Sequence, residues 1–487
     1  MERIFLTTAI DYVNAPPHLG HALEKIQADI FSRYFRKKGK EVYFLTGTDE
    51  QSLKTVKAAK KEGISPKELV DKNSQKFFEL KEILDLSFDD FIRTTEKRHI
   101  KGAQKLWNLC KKDIYKKKYK GLYCVGCEEF YKKEELENGL CPEHKTKPEL
   151  LEEENYFFRL TKYQKKLQEI FRKKRIEIIP KKRKNEILSF LKKGLEDICV
   201  SRSIERSKGW GIDVPEDRTQ KMWVWFDALS NYINALTFSE NSLNFQKFWQ
   251  KNQNIWHIIG KGILRFHAIY WPAILLSAGL NLPSKILVHG YITIEGHKMS
   301  KSLGNVISPK EVAKKTNKAA LRWFLLREIP SDEDGDFSFL KLKKRYFEDL
   351  VQNIGNLFSR AFALGIFYQK NGKKIEGKEK KFKKITQKSS LIEKHILNFK
   401  FHLATKELSL LSKEGNLFVE KKRLWENSKN KKEDFFFLFT LLKEIKKWLE
   451  VFLPSSAKKI ENALNLEKKD KKITFWVKKK LILFGKI

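Results

Sequence analysis

Two histidines separated by two residues lie in the turn Asn14–His21 near the start of the chain, where they could bind phosphate. The short, β-prone apolar run Ile4–Thr8 precedes this turn, and apolar residues at helical spacing follow it. Free N–H groups in the first turn of a helix attract phosphate, so His18 and His21 would share one face at an anion-binding end. Gly20 between them would let a flat base approach the backbone. Two histidines that merely cap a helix remain the competing interpretation.

A second stretch, Gly296–Asn305, carries two lysines and two serines between glycines. Lys298 and Lys301, with Ser300 between them, would form a mobile cationic clamp that closes on phosphates and stabilises developing charge. Taken alone, the same residues would suit an ordinary solvated loop. The two stretches become informative only if the fold brings phosphate to both.

A third group of residues has the spacing of a metal site. The group combines a Cys-x2-Cys pair and a Cys-x2-His pair with 13 residues between them: Cys124, Cys127, Cys141 and His144. Sulfur and nitrogen ligands in this pattern predict tetrahedral Zn²⁺, and four protein ligands leave no open position for catalysis. We therefore expect a structural zinc knuckle. Cys110 and Cys199 lack such partners and are interpreted as core residues.

The composition predicts a folded, multidomain protein with an anionic partner. The 487 residues are 41% hydrophobic and include 36 Phe and 11 Trp, which is enough for several cores. A net charge of +38 favours a polyanion, most simply nucleic acid, although drift in an AT-rich genome could account for part of the lysine excess. The chain lacks a secretory h-region, its apolar stretch 269–282 is too short for a bilayer, and its five cysteines do not suggest disulfides. We expect a cytoplasmic protein that does not enter membranes.

Alternating strands and helices predict an α/β fold. The predicted strands are Ile4–Thr8, Glu41–Thr46, Asp90–Arg93, Ile255–Ile259 and Ile286–Gly290. Their rhythm favours a doubly wound, Rossmann-like parallel sheet with ligands at the carboxyl ends of its strands, where Asp49 would lie. We expect this domain in residues 1–115 and 223–295, the zinc-knuckle insertion in 116–222, a loop region in 296–345 and an α-helical bundle in 346–487.

Several local predictions accompany this division of the chain. The β/α rhythm should resume at Trp223–Leu229, and capping boxes should start helices at Ser65 and Ser308. Asp332, Asp334 and Asp336 alternate like a calcium loop but lack its turn glycine and bidentate Glu, which favours an acidic surface loop. The lysine-rich segment 370–388 is predicted as a solvated loop in an otherwise helical region. Trp425 and Phe435–Phe439 are assigned to the core of the bundle.

Taken together, the motifs resemble those of a known family. His18-Leu19-Gly20-His21 and Lys298-Met299-Ser300-Lys301-Ser302 match, in order and separation, the two signatures of class I aminoacyl-tRNA synthetases. Within this class the chain is similar, over nearly all its length, to methionyl-tRNA synthetases with a single zinc knuckle. The similarity includes residues 45–50, 89–95, 121–127, 154–158 and 225–228. It implies activation of methionine by ATP with Mg²⁺ to methionyl-adenylate, transfer to the 3′ end of tRNA(Met), and a monomeric enzyme.

The resemblance also implies roles for individual residues. Contacts to ATP would come from both signatures and one strand end: His18, Gly20, His21, His289, Gly290, Lys298, Ser300 and Lys301, of which the histidines and lysines of the signatures would be catalytic. Asp49 would bind the methionine ammonium group, and the slot would consist of Ile10, Trp225, Ala228, Leu229, Tyr232, Ile263, His267 and Trp271. The anticodon would be read by Asn356, Arg360 and Trp425, with an aromatic ring available for an unstacked base.

The chain departs from the family pattern at several of these places. Gly262 stands where an Asp usually binds the ribose, and Gln51-Ser52 replaces a usual His-Gly. Asp11 and Leu424 replace a Tyr or Pro and a Pro, respectively. Because a charge-assisted hydrogen bond contributes about 1.5–3 kcal/mol, we expect weakened ATP binding.

Three alternatives stay open at this stage. Another class I synthetase would require features such as a larger editing insertion than the hundred or so residues present here. A degenerate synthetase that binds RNA without catalysis would be consistent with the changes at Gly262 and Gln51. A nucleotidyltransferase sharing the histidine turn would explain neither the zinc knuckle nor the C-terminal third.

Overall fold

A computed structural model describes residues 2–126, 129–143, 145–299, 305–378, 382–426, 431–469, 472–485 and 487. The chain forms two compact units. The first comprises Met1–Pro17, Phe35–Lys81 and Ser87–His289, and the second comprises His18–Tyr34, Glu82–Leu86 and Gly290–Ile487. Within the ranges that the structure describes, none of the helices is both long enough and apolar enough to span a bilayer.

The strands of the first unit are β1 Arg3–Thr8, β2 Asp11–Tyr12, β3 Glu41–Asp49, β4 Asp90–Arg93, β5 Ile114–Cys124, β6 Glu129–Tyr131, β7 Glu149–Phe158, β8 Glu177–Ile179, β9 Ile198–Cys199, β10 Ser201–Ser203, β11 Asp213–Val214, β12 Asp217–Met222, β13 Ile255–Gly260 and β14 Lys285–His289. Those of the second unit are β15 Ile292–Ile294, β16 His297–Lys298, β17 Gly335–Phe337, β18 Ile375–Lys378, β19 Leu464–Lys469 and β20 Lys472–Val477.

The helices up to residue 289 are α1 Leu19–Lys37, α2 Leu53–Glu62, α3 Pro66–Phe78, α4 Leu80–Ile83, α5 Lys97–Cys110, α6 Gln164–Arg172, α7 Lys181–Lys192, α8 Ile204–Ser207, α9 Val224–Leu229, α10 Asn231–Asn234, α11 Leu243–Phe245 and α12 Trp271–Ala278. Later helices are α13 Pro309–Lys315, α14 Lys318–Arg327, α15 Phe339–Arg345, α16 Asn356–Lys370, α17 Lys383–Leu397, α18 Phe401–Lys421, α19 Lys432–Phe452 and α20 Pro454–Ala463. The segments Gln246–Gln250, Phe266–Tyr270 and Tyr346–Gly355 are π-helical.

The first unit is built on a parallel sheet in which β3 and β13 flank β1. Its order is β2-β3-β1-β13-β14-β8, and β4 also pairs with β3. The five strands predicted from the sequence therefore take the order third, second, first, fourth, fifth, which is that of a Rossmann-like sheet. The strands added before residue 115 lie on one side of β1, and β13 and β14 lie on the other side, so the strand order reverses between β1 and β13. A ligand crevice is therefore expected beyond the carboxyl ends of these two strands. The predicted α/β class and all five strands are confirmed.

The segment 116–222 contains two antiparallel sheets and the helices α6, α7 and α8. β6, β5, β7 and β9 form one sheet, and β10, β12 and β11 form another. One part of this segment departs from that arrangement, because β8 joins the parallel sheet as a partner of β14.

The Ser65 capping box is present, with Glu68 in the reciprocal position. Cys110 and Cys199 are both buried, as predicted, and burial raises the pKa of the Cys110 thiol to about 12.

Three local predictions are wrong. The β/α rhythm was predicted to resume with a strand at Trp223–Leu229, but Val224–Leu229 forms helix α9. A short apolar run can be buried equally well as a strand or as a helix. Ser308 occupies the N-cap position of α13 without a side-chain capping hydrogen bond to that helix. Segment 370–388 includes strand β18 and the start of α17, and Ile375 in it is fully buried.

The C-terminal region is also not helical to its end. β18, β20 and β19 form an antiparallel sheet in which β20 is central. Ile473 and Phe475 alternate with exposed residues along β20, and Phe475 packs near Phe436 and Phe439 of α19. The alternating pattern of these strands is short and is flanked by lysines, so composition alone predicted a solvated loop and helices here.

Candidate functional site

In the second unit, His18 and His21 form a stacked pair at the start of α1. Their ring centroids are 3.7 Å apart and the ring planes differ by 21°. The His18 N–H donates to Nδ1 of His21, and the Gly20 N–H donates to Nδ1 of His18, each at 3.1 Å. A neutral imidazole whose Nδ1 accepts a hydrogen bond carries its proton on Nε2. Both rings therefore hold an N–H donor on the nitrogen opposite the backbone.

Gly20 is required by the His18 ring that folds back over it. A Cβ on Gly20 would lie 2.9 Å from Cε1 of His18 and 3.9 Å from Cε of Met299. The adjacent N–H of Leu19 donates to the Ile307 carbonyl at 3.2 Å. The start of α1 is thus fixed against the segment that follows the second signature, within the same unit.

The second signature begins at a hairpin built from β15 and β16. Glu295 and Gly296 join these strands with φ values of 52° and 79°, a left-handed pair that suits a two-residue hairpin turn. Lys298 pairs with Thr293 through the backbone. Ser300 and Lys301 lie outside the described residues, so the predicted clamp is described only up to Met299.

Two residues of the predicted acidic loop, Asp334 and Asp336, bind the hairpin and the residue before it. Asp336 accepts hydrogen bonds from the Thr293 hydroxyl at 2.8 Å and from the Gly296 N–H at 2.9 Å. Asp334 accepts from the Tyr291 N–H at 2.9 Å, and Asp332 is only 8% exposed. The prediction of a surface loop is wrong for Asp332, which is buried, and for Asp336, which lies in β17 and binds N–H and O–H groups that no sequence pattern links to it, whereas Asp334 is exposed as predicted.

Gly290, predicted at the ATP site, has a steric role in the same region. A Cβ there would lie 2.1 Å from the Glu333 carbonyl oxygen and 2.5 Å from the Asp334 N atom. Only glycine fits this close backbone approach. His289, at the end of β14 in the first unit, is buried and pairs with Gly260 at the end of β13.

The first unit contains the predicted amino-acid slot, centred on a tyrosine and a histidine. The Tyr232 hydroxyl lies 2.7 Å from Nε2 of His267, and Nδ1 of His267 lies 2.9 Å from the Ile263 carbonyl. Because a carbonyl only accepts, Nδ1 carries the proton of the neutral ring and Tyr232 donates to Nε2. Both side chains are 1% exposed. The two hydrogen bonds fix the direction of the Tyr232 hydroxyl and the orientation of the His267 ring.

Aromatic rings surround this pair. Trp225 stacks on Phe266 at 3.7 Å and meets His267 nearly edge-on at 6.5 Å, while Trp271 lies 6.1 Å from the Tyr232 ring. The π-helical turn Phe266–Tyr270 places His267 here, as π-bulges often do at functional sites. The remaining slot residues belong to the surrounding packing: Ile10 and Ile263 are partly buried, and Ala228 and Leu229 are buried.

Asp49 is the last residue of β3 and is 3% exposed. The next residue, Glu50, is fully buried and accepts hydrogen bonds from Arg93 Nε at 2.7 Å and Thr48 Oγ1 at 2.8 Å. The Glu50 carbonyl accepts from Nε1 of Trp210 at 2.7 Å. Trp210, which the sequence did not single out, thus ties segment 116–222 to the residue beside Asp49. The only signal was a bulky residue between Gly209 and Gly211, both in turn conformations.

The departures from the family pattern differ in their structural setting. Gln51 donates to the Thr94 carbonyl at 3.3 Å, and Ser52 caps α2 by accepting from the Thr55 N–H. Leu424 and Asp11 are buried. Gly262, by contrast, is exposed in the 3₁₀ turn that follows β13, at the edge of the sheet where the ligand crevice is expected.

Two of the four predicted zinc ligands are described, and both are buried thiols. Cys124 ends β5, and Cys141 follows a tight turn in which Asn138 and Gly139 have φ values of 53° and 75°. The Cys141 carbonyl accepts from the Lys145 N–H at 2.8 Å. Cys127 and His144 lie outside the described residues. Cysteine sulfur is a ligand that structural Zn²⁺ prefers, so both residues fit the predicted site.

Two of the predicted anticodon residues, Asn356 and Arg360, lie on α16 of the second unit. Asn356 Nδ2 donates to Asn416 at 3.2 Å, and Arg360 Nη1 lies 3.1 Å from Glu420. Both contacts join α16 to α18 at four-residue intervals. Trp425 follows α18 and is 49% exposed, so its assignment to the bundle core is wrong. Phe435, Phe436 and Phe439 are buried as predicted, whereas Phe437 is only partly buried.

Comparison with known proteins identifies the family. A family model described as tRNA synthetases class I (M) matches residues 4–147 and 132–362. The methionine–tRNA ligase of Brucella suis is 45% identical over 74% of this chain and 70% of its own length, and that of Rickettsia bellii is 37% identical over 96% and 93%. The Mycobacterium tuberculosis methionyl-tRNA synthetase structure with methionyl-adenylate has a TM-score of 0.87 at 34% identity, covering 95% of this chain and 94% of that one. The chain therefore belongs to the methionyl-tRNA synthetases of class I.

Proposed function

We propose that this protein activates methionine with ATP and transfers it to the 3′ end of tRNA(Met). The observation that carries the proposal is the tautomer of the paired histidines. Because backbone N–H groups occupy both Nδ1 atoms, both Nε2 atoms are donors at the start of a helix, where phosphate oxygens bind favourably. Family membership makes ATP the phosphate source.

In the first step, a methionine carboxylate oxygen attacks the α-phosphorus of ATP. A bond forms between this carboxylate oxygen and the α-phosphorus. The bond between the α-phosphorus and the oxygen that bridges it to the β-phosphorus breaks, and pyrophosphate departs with the electron pair. His18 and His21 would donate to phosphate oxygens, and Lys298 and Lys301 would neutralise the departing charge. Such chemistry depends on alignment and charge stabilisation, for which fixed donors are suited. Mg²⁺ would accompany ATP and share its phosphate charge.

Methionine would lie in the slot around Tyr232 and His267, with its ammonium group at Asp49. Aromatic walls favour a flexible thioether because sulfur gains from ring contacts. The fixed Tyr232 hydroxyl adds a polar atom that an isosteric hydrocarbon side chain could not use. In the second step, a terminal ribose hydroxyl of tRNA attacks the adenylate carbonyl, the ester forms and AMP leaves.

Selection of tRNA(Met) would depend on Asn356, Arg360 and Trp425. The exposed Trp425 ring offers a stacking surface for an unstacked base, and the two polar side chains lie one helical turn apart on α16. We propose that the enzyme works as a monomer in the cytoplasm, where tRNA and ATP are available.

The zinc knuckle would be held by Cys124, Cys127, Cys141 and His144 and would be structural, since four protein ligands close the coordination shell. Replacing Cys141 by Ser should lower bound zinc from one atom per chain, measured by elemental analysis. Cys199→Ser is the matched control, because it removes another buried thiol without changing the proposed ligand set. Retention of full zinc by C141S would contradict the assignment.

Methionine-dependent exchange of pyrophosphate into ATP tests the proposed function directly. Exchange with methionine, and none with leucine, isoleucine or cysteine, is the expected result. A degenerate RNA-binding relative would bind tRNA but show no exchange. His21→Asn should reduce exchange at least tenfold, because an amide cannot present the same donor from a planar ring stacked on His18.

A further inference from the structure

Three lysines lie side by side across the C-terminal sheet. Lys378 of β18 is paired with Lys472 of β20, and Lys472 is paired with Lys469 of β19. Residues directly opposite each other on antiparallel strands have Cβ atoms about 4.5–5.5 Å apart and point to one face. All three residues are exposed. We call Lys378, Lys469 and Lys472 the lysine row.

This arrangement opposes folding of the sheet, because like charges directly opposite each other are destabilising. Glu376 offers partial compensation: its carboxylate lies 3.0 Å from Lys472 Nζ and also 3.0 Å from Lys432 Nζ, and these hydrogen bonds lower its pKa. One carboxylate shared by two ammonium groups leaves the row positive. Residues 370–378, 464–469 and 472–480 together contain ten lysines and two glutamates.

The opposite face of the sheet is the one that packs on the bundle. Ile375, Ile473 and Phe475 are buried, so Lys472 and the residues two and four positions along β20 face outward. The outermost of these is Trp476, which is 36% exposed. Exposed cations beside an exposed aromatic ring are the combination with which proteins hold a nucleic-acid backbone and stack on its bases.

The sheet is fixed to the helix that carries the proposed anticodon residues. Gln369 of α16 donates to the Phe475 carbonyl at 3.0 Å and accepts from the Val477 N–H at 3.1 Å. Gln369 and Asn356 are thirteen positions apart, which corresponds to about 20 Å along the helix axis. The lysine row therefore lies on the same rigid element as the proposed anticodon contacts, and an RNA arm is long enough to reach both.

We propose that the lysine row is a phosphate-binding surface for the tRNA, separate from the residues that read the anticodon. The inference rests on the proposed function for the identity of the RNA. Contacts to phosphate carry no base information, so the row would strengthen binding of any tRNA and leave discrimination to other residues. It also assigns a role to part of the lysine excess, which composition alone could not separate from drift.

The salt dependence of tRNA binding tests the proposal. The triple variant Lys378→Gln, Lys469→Gln, Lys472→Gln of the full chain would be titrated with tRNA(Met) and with an elongator tRNA of unrelated anticodon, from 50 to 300 mM KCl. Each lost phosphate contact reduces the slope of log K against log salt by about 0.7–0.9, so the slope should fall by about 2–3 for both tRNAs. Pyrophosphate exchange, which requires no RNA, should be unchanged.

Two matched variants complete the design. A triple Lys→Gln change at exposed positions of α6 and α7 in the first unit, Lys165, Lys182 and Lys192, removes the same charge without changing the row and should leave the slope within about 0.5 of the unaltered chain. A triple Lys→Arg change in the row should restore the original slope. The proposal is overturned if the row variant and the helix variant lose the same slope, if arginine does not restore it, or if only tRNA(Met) is affected. Absence of exchange in the unaltered chain would instead contradict the proposed function.

Discussion

Gly262 provides a quantitative test of how this chain binds ATP. The residue is exposed in the 3₁₀ turn Lys261–Ile263, directly after β13. This turn lies beside the point where the strand order of the sheet reverses. A 3₁₀ turn has negative φ angles, so an aspartate can occupy it without backbone strain. Gly262→Asp would introduce the carboxylate that the family resemblance predicts at the ribose. A hydrogen bond to a charged group contributes about 1.5–3 kcal/mol, which corresponds to a decrease in the ATP KM of roughly 10- to 100-fold.

The assay is pyrophosphate exchange at saturating methionine, with ATP varied. Gly262→Asn keeps a hydrogen-bond acceptor without the charge and should lower the ATP KM by less, while Gly262→Ala should leave it unchanged. The methionine KM should remain constant in all three variants because the Tyr232–His267 slot is not altered. An unchanged ATP KM in the Asp variant, with a normal melting temperature, would refute the prediction that the missing ribose contact weakens ATP binding.

Three further substitutions test the geometry of the two units. Gly20→Ala places a Cβ 2.9 Å from His18 Cε1 and must displace that ring, so kcat for exchange should fall at least tenfold while the melting temperature is retained. Tyr232→Phe leaves Nε2 of a buried His267 without its donor, at a cost of about 1–3 kcal/mol, and should raise the methionine KM about tenfold with no change in the ATP KM. Trp210→Phe removes the hydrogen bond to the Glu50 carbonyl, worth about 1 kcal/mol, and should raise the methionine KM about fivefold; equal loss for ATP and methionine would argue against a positioning role beside Asp49.

The sequence predicted those parts of the fold whose causes are local. The strands of the parallel sheet are short apolar runs buried on both faces, and the Ser65 capping box depends on residues three positions apart. The slot was named through family resemblance, and the structure brings Trp225, Tyr232, His267 and Trp271 into contact. The resemblance named these residues as a group, but it did not predict which of their side chains contact one another.

What the sequence did not reveal depends on contacts between distant residues. Asp336 supports the hairpin that leads to Lys298 through hydrogen bonds across about forty positions, and Trp210 reaches Glu50 across 160. The C-terminal sheet joins residues 375–378 to 464–477, and its alternation is short and interrupted by lysines. Local periodicity contains no information about such pairings, so an acidic run and a basic run were both interpreted as solvated loops.

The histidine turn shows that the two interpretations of its sequence are compatible. Capping explains the contacts of both Nδ1 atoms, but Ser, Thr, Asp or Asn would cap a helix at least as well, and stability alone gives no reason for two imidazoles. What an imidazole adds is a second nitrogen. When the backbone N–H fixes Nδ1 as an acceptor, the proton must reside on Nε2, and the ring becomes a donor of fixed direction. Capping is therefore the means by which the helix would set the tautomer that the proposed phosphate binding requires.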